Sequence, residues 1–283
     1  MAARRGRSAA AAVLVIAGVL VGIVIAALVI IHLIPDHHPL PGEQRCVATA
    51  ADQTVAVDTE QARNASIIAG VSVRRGLAPR AASIALTTAY QESDLHNLDH
   101  GDRDSVGLFQ QRPSMGWGSR KQLQNPYYAT NRFYDALMKI HGWESADITE
   151  IAQQIQISGY PDAYRDHESD GRVLASVLTG QSPAGLRCLI RDQRAGSAAG
   201  LVASLHKTYK IEPKRSGQLI TISAKSDALA WSYAQFALAN AHDRGVESVQ
   251  VGGLRFTISN RQLASWRTAA DPIRDHAVRI TVR

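Results

Sequence analysis

PRAASIALTTAYQES, residues 79–93, is the most informative stretch of this 283-residue sequence. Pro79 fits the first turn of a helix, where its missing N–H is no loss. Ala81, Ala85, Thr88 and Glu92 recur at intervals of three or four, with Ile84 and Ala89 beside them, so they share one helix face. That face is apolar and belongs against a core. Glu92 therefore closes a core-facing stripe, an unusual place for a carboxylate. Burial disfavours its ionised form, and so does the partial negative charge at the helix carboxyl end. A carboxyl kept protonated near neutral pH is what a general acid needs. On position alone two plainer readings stand beside that one: a glutamate turned to solvent past the last turn, or a structural ion pair with an arginine such as Arg112.

The flanking sequence is helical on both sides. Asp58 with Gln61 is a capping-box pair that starts a helix running to about Arg75, with Gly76 as its stop. A polar loop follows Glu92 and carries Asp94, Asp99, Asp102 and Asp104. Asn125-Pro126 opens a third helix, to about His141. Asp147 with Glu150 opens a fourth, on which Ile148, Ile151, Ala152 and Ile155 make an apolar stripe. A fifth covers about 170–179. Residues 58–180 thus predict one all-helical domain. Residues 181–217 read as a linker holding a short helix near 201–209. From 218 the pattern changes: a strand at 219–222, a helix at 227–244, strands at 246–251 and 254–258 joined through Gly252-Gly253, and a strand at 277–282. This is a small α+β domain, 218–283, in which Trp231 and Trp266 read as core packing in preference to a glycan-binding pair. The whole is expected to be mainly α.

Residues 9–31 form an uncharged apolar run of 23 residues. As a helix it would span roughly 35 Å, enough to cross a bilayer core of about 30 Å. Arg4, Arg5 and Arg7 precede it, so residues 1–34 predict a cytoplasmic tail and single-pass transmembrane anchor in the cell membrane. The rest of the chain is then extracytoplasmic, starting with a proline-rich stalk at 35–57. Gly18 and Gly22 form a GxxxG pair within the span. The net charge of +6 falls to +3 without those three arginines, which excludes a nucleic-acid surface as the main function. The two cysteines, Cys46 and Cys188, fall on the external side, where a disulfide between them can persist. No CxxC or HExxH spacing occurs, so neither a metal nor a dissociable cofactor is expected.

Glu92-Ser93 is followed by Ser105-Val106-Gly107-Leu108-Phe109-Gln110 and later by QISGYPDAY at 156–164. On these residues the region 58–180 resembles the lysozyme-like superfamily of lytic transglycosylases. In that family a helix ends in Gln-Glu-Ser with the Glu as catalytic acid, and a Ser-x-Gly-Leu-Met/Phe-Gln segment shapes the saccharide groove. The resemblance implies a lysozyme-like domain that cleaves the β-1,4 bond between N-acetylmuramic acid and N-acetylglucosamine in peptidoglycan glycan strands, with Glu92 as general acid and base. It implies a groove lined by Ser105, Gly107, Phe109, Gln110, Gln156, Ser158 and Tyr160, with Tyr164 and Trp117 stacking on sugar rings, although Trp117 in Met115-Gly116-Trp117-Gly118 reads equally as a turn aromatic packed under the loop. A hydrolase would need a second carboxylate, for which Asp94, Asp102 and Asp104 are the candidates. Two departures stand out. The loop after Glu92 is unusually acidic, and the family's alanine-rich stretch ending in Tyr-Asn-x-Gly is replaced by 156–160. Two other readings share these residues: a non-catalytic envelope scaffold that binds glycan, and an assembly component with envelope or secretion partners.

Overall fold

The computed structural model describes residues 43–283, and its first element is a hairpin. Strands β1 (Arg45–Ala50) and β2 (Gln53–Val57) pair antiparallel across Ala51 and Asp52. Both turn residues take positive φ, 49° and 63°, the pattern of a two-residue turn matched to strand twist. Asp58 ends the hairpin and caps α1 (Thr59–Arg74). Its carboxylate accepts from the Glu60 and Gln61 amides at 2.7 and 2.8 Å, and the Gln61 side chain accepts from the Asp58 amide in return. Then come α2 (Pro79–Ser93), α3 (Arg120–Leu123), α4 (Pro126–Leu137), α5 (Ile148–Gln156) and α6 (Glu168–Leu178). Helix α6 lies along α2. The approach requires a glycine: a Cβ on Gly171 would sit 2.2 Å from Thr87 Oγ1. This packing fixes the helix that carries Glu92.

Strand β3 (Leu186–Leu189) follows and pairs antiparallel with β1, giving a three-stranded sheet in the order β2-β1-β3. Cys46 faces Cys188 in that register, and the two form a disulfide. After α7 (Ala198–Tyr209) come β4 (Lys214–Ser216), β5 (Leu219–Ser223), α8 (Asp227–Ala239), α9 (Ala241–Arg244), β6 (Val246–Val251), β7 (Leu254–Thr257), β8 (Arg267–Thr268) and β9 (Ala277–Val282). The second sheet is antiparallel throughout, in the order β4-β5-β9-β6-β7-β8.

Helix α8 joins the two halves. It is apolar nearly all round, and residues 230–239 are buried, as expected of a helix covered on every side. It packs on β6 and β9 and also on α1, α6 and β3. Two of its polar side chains are matched across these contacts. Gln235 accepts from the Leu186 amide at 2.9 Å and donates to the Val177 carbonyl. Ser232 Oγ donates to the Leu178 carbonyl at 2.8 Å. Trp231 and Trp266 meet edge to face at 5.0 Å, and the Trp266 indole N–H donates to the Leu186 carbonyl. The Trp pair is packing. The described residues therefore belong to one compact unit.

The chain is not mainly α: it is a mixed α+β protein with two antiparallel sheets of three and six strands. Two stretches account for the difference. Residues 45–57, expected as part of a stalk, form the β1–β2 hairpin, and its Val55 and Val57 are buried. Residues 181–217, expected as a linker with one helix, supply β3 and β4 as well as α7. The transmembrane segment expected at 9–31 lies outside the described residues. Among the described residues no helix is long and apolar enough to cross a membrane.

Candidate active site

Helix α2 stops in a tight left-handed turn. Asp94 and Leu95 both adopt left-handed backbone, with φ of 51° and 58°. Their amides return to the Tyr90 and Ala89 carbonyls, and the Leu95 side chain is buried beneath. Glu92 sits one residue before this stop, half-buried. Ser93 is buried, and its hydroxyl lies 3.0 Å from the Ala89 carbonyl and 2.8 Å from the Leu108 carbonyl. The serine of Gln-Glu-Ser thus ties the helix end to the Gly-Leu-Phe-Gln segment. Gly107 has φ of 79°, and a Cβ there would meet the Leu123 carbonyl at 2.5 Å. Its glycine is required both by the backbone and by that close approach.

The hydroxyl of Tyr164 donates to Glu92 Oε1 at 2.5 Å. Tyr164 lies in the short helical turn Ala163–His167 and is fully buried. Burial raises the pKa of Glu92; the Tyr164 hydroxyl and the Gln156 amide pull it partly back. Burial and the Glu92 carboxylate together raise the pKa of the Tyr164 phenol, which stays a donor. Arg112 does not pair with Glu92. Its Nε sits 3.0 Å from Asp104. Asp104 also accepts from the Ser114 amide and hydroxyl, and these partners hold its pKa down to about 2. Of the other loop carboxylates, Asp102 is almost fully exposed and 3.8 Å from Arg103, and Asp94 lies 3.9 Å from the His96 ring. Glu92 is left as an acid touched by neutral donors.

The residues expected to line a groove divide into two sets. Gln110 and Gln156 line a cleft of about 600 Å³, together with Trp117. The Gln156 amide also donates to the Phe109 carbonyl at 2.6 Å, which joins the end of α5 to the Gly-Leu-Phe-Gln segment. Tyr160 is 79% exposed, and its amide donates to the Ser158 hydroxyl at 3.2 Å. The other four are placed differently. Phe109 is buried and stacked on Phe133 at 4.7 Å. Gly107 and Ser105 are buried too, with Ser105 Oγ between the Asp102 carbonyl and Gln110 Oε1. Tyr164 presents its hydroxyl to Glu92 and has no exposed face to stack on a sugar. Three of these residues hold the segment in shape, and Tyr164 partners the acid. The tie made by Ser93 and the cations of the cleft, Arg103, Arg132 and Lys139, were not singled out from sequence. Arg132 lies on α4 and Lys139 two residues past its end; their separation of seven residues, two turns in a helix expected to run to about His141, was the available signal.

Two substitutions probe this geometry. Ser93→Ala leaves the Leu108 carbonyl without its side-chain partner inside the protein. It should lower stability by about 1–3 kcal/mol, measured by denaturant unfolding. Tyr164→Phe removes a hydrogen bond to a half-buried carboxylate. Bonds of that kind contribute about 1.5–3 kcal/mol, so the pKa of Glu92 should rise by about one unit or more. Carbon NMR titration of the Glu92 carboxyl reads the shift directly, and an unchanged value would show that the hydroxyl does not steady the ionised form.

Among the described residues no group of three or more His, Cys, Asp or Glu side chains is placed to hold a metal ion. Comparison of the sequence with protein-family models and with curated proteins yields no match.

Proposed function

We propose that this chain is an extracytoplasmic peptidoglycan-cleaving enzyme that breaks the β-1,4 bond between N-acetylmuramic acid and N-acetylglucosamine, as a lytic transglycosylase. The observation that carries the reading is Glu92: a half-buried carboxyl at a helix end, with a raised pKa, hydrogen-bonded by a neutral tyrosine and free of the arginine that would hold it ionised. The resemblance of Gln91-Glu92-Ser93 and of residues 105–110 to lytic transglycosylases supplies the substrate class. The internal disulfide fits an oxidising compartment.

In this mechanism the protonated Glu92 gives its proton to the glycosidic oxygen as the muramoyl C1–O bond breaks. N-acetylglucosamine leaves with a free 4-hydroxyl, and positive charge develops on the muramoyl ring. The Glu92 carboxylate, steadied by the Tyr164 hydroxyl, then takes the proton of the muramoyl 6-hydroxyl as that oxygen closes on C1. The product is a 1,6-anhydro end, no water is consumed, and Glu92 is protonated again. A hydrolytic route needs a second carboxylate to direct water. Asp104 is engaged by Arg112 and Ser114, and Asp102 lies out in solvent, so the single-carboxyl route is favoured.

The test is product analysis. The purified protein is incubated with peptidoglycan and the released fragments are weighed by mass spectrometry. Anhydro-muropeptides are expected. Reducing-end products would make the protein a hydrolase. Glycan binding without any product would overturn catalysis and leave a binding scaffold.

A further inference from the structure

We propose that the basic cleft beside Glu92 is a specificity site for carboxylate groups carried on peptide branches of the glycan; this rests on the function proposed above. The cleft is walled in part by Gln156, whose side chain also bonds Glu92, and it opens onto four cations: Arg103, Arg112, Arg132 and Lys139. One carboxylate, Asp135, also lines it, but Arg75 binds that group at 2.9 Å. The cleft therefore keeps an excess of positive charge next to the carboxyl that would do the chemistry.

Two of the arginines are already oriented. Arg132 donates from Nε to the Trp117 carbonyl at 3.2 Å and from Nη2 to the Gly116 carbonyl at 3.4 Å. Arg112 is held through Nε by Asp104 at 3.0 Å. Guanidinium groups fixed in this way lose less freedom when they bind a carboxylate fork. Neither Arg132 nor Lys139 has a carboxylate within ion-pair distance among the described residues.

The rim decides which anion fits. Ile157 is 77% exposed and Met115 is 62% exposed, and both line the cleft. Ile157 caps α5 with φ of 53°, a backbone region that β-branched residues rarely enter. An isoleucine held there and left in water is a poor choice for stability alone. Apolar side chains beside fixed cations suit a ligand with methyl groups next to carboxylates, which is a short acidic peptide. A phosphate-bearing polymer would leave that rim unused.

The experiment measures sedimentation of the full chain carrying Glu92→Gln, which leaves the glycan uncut. Three forms of insoluble peptidoglycan are compared: intact, with its carboxyls converted to amides, and stripped of phosphate polymers by hydrofluoric acid. Amidation is expected to weaken binding about tenfold (roughly 1.4 kcal/mol), and phosphate removal to leave it unchanged. Adding Arg132→Gln and Lys139→Gln should bring intact glycan down to the amidated level, with the melting temperature confirming that the variant is folded. Equal binding of intact and amidated glycan would overturn the proposal, as would discrimination that survives the double substitution. A loss on phosphate removal alone would assign a phosphate ligand and overturn it too. Binding to none of the three forms would overturn both this proposal and the peptidoglycan reading. Cleavage of amidated and intact glycan at one rate by the unsubstituted protein would overturn this proposal alone.

Discussion

Glu92→Gln is expected to abolish release of soluble muropeptides, lowering the rate by about 10³-fold or more, and at the same time to make the protein more stable at neutral pH. The first effect follows from the role. A positioned general acid contributes about 10²–10⁴-fold, and in the mechanism proposed above the same group is also the base of the second step, so its loss would remove both. The second effect follows from the site. Burial raises the pKa of Glu92 above its ordinary value of 4.5, which means the folded protein favours the neutral form. The stabilisation from that neutral carboxyl is fully present below pH 4.5 or so and is lost as pH rises through the folded-state value. Glutamine is neutral at every pH and nearly the same shape, and its side-chain oxygen can still accept from the Tyr164 hydroxyl. The variant should therefore melt with the unsubstituted protein in mild acid and above it at pH 8. Thermal melts at the two pH values, run beside the cleavage assay, separate the possibilities. Activity retained in the variant would move the acid elsewhere. A variant less stable at pH 8 would mean that the carboxylate, not the acid, is the form the fold prefers.

That prediction rests on the part of the molecule most legible in the sequence. Pro79, the apolar face from Ala81 to Ala89 and the position of Glu92 on it are properties of one helix, and local periodicity reports them directly. The Gly-Leu-Phe-Gln segment was locatable by its pattern, but a pattern gives position and not direction. Phe109 turns into the core against Phe133, and it is the Phe109 carbonyl that meets Gln156. Tyr164 shows the same limit. An aromatic ring with a hydroxyl can stack or donate, and the choice depends on the Glu92 carboxyl reaching it from 72 residues away. The strands were hidden for other reasons. The β1–β2 turn is Ala51-Asp52, which lacks the Asn-Gly or Gly-Gly signal that marks the β6–β7 turn at 252–253. Strand β3 is four residues long and pairs with a strand more than 130 residues earlier. Helix α8 carries no polar face, so its pattern fits burial from all sides but names no partner; Gln235, reaching back to Leu186 and Val177, is what keys it to the helices.

Loss of the Cys46–Cys188 bond is expected to lower stability by about 3–5 kcal/mol and the melting temperature by roughly 10 °C. The bond joins residues 142 apart. Closing so long a loop removes on the order of 5 kcal/mol of chain entropy from the unfolded state, and a protein of this size moves by about 2–4 °C per kcal/mol. The native state should survive the change. Residues from Arg45↔Leu189 to Ala48↔Leu186 stay paired without the sulfurs, and β1 keeps its hairpin with β2. The effect therefore lies in the unfolded chain, and the cleavage rate at 25 °C should stay close to its original value. Both sulfur-bearing residues are buried, Cys46 at 1% and Cys188 at 0% exposure, so a reductant added to the folded protein meets the bond only when β1 opens. Reduction in denaturant followed by refolding, or the Cys46→Ala, Cys188→Ala pair, gives the open form cleanly. A melting temperature within about 2 °C of the oxidised protein would mean that strand pairing alone holds β1. A large drop would tie stability to an oxidising compartment: a chain folding where thiols stay reduced would forgo that stabilisation, and β1, the central strand of its sheet, would lose its cross-link to β3.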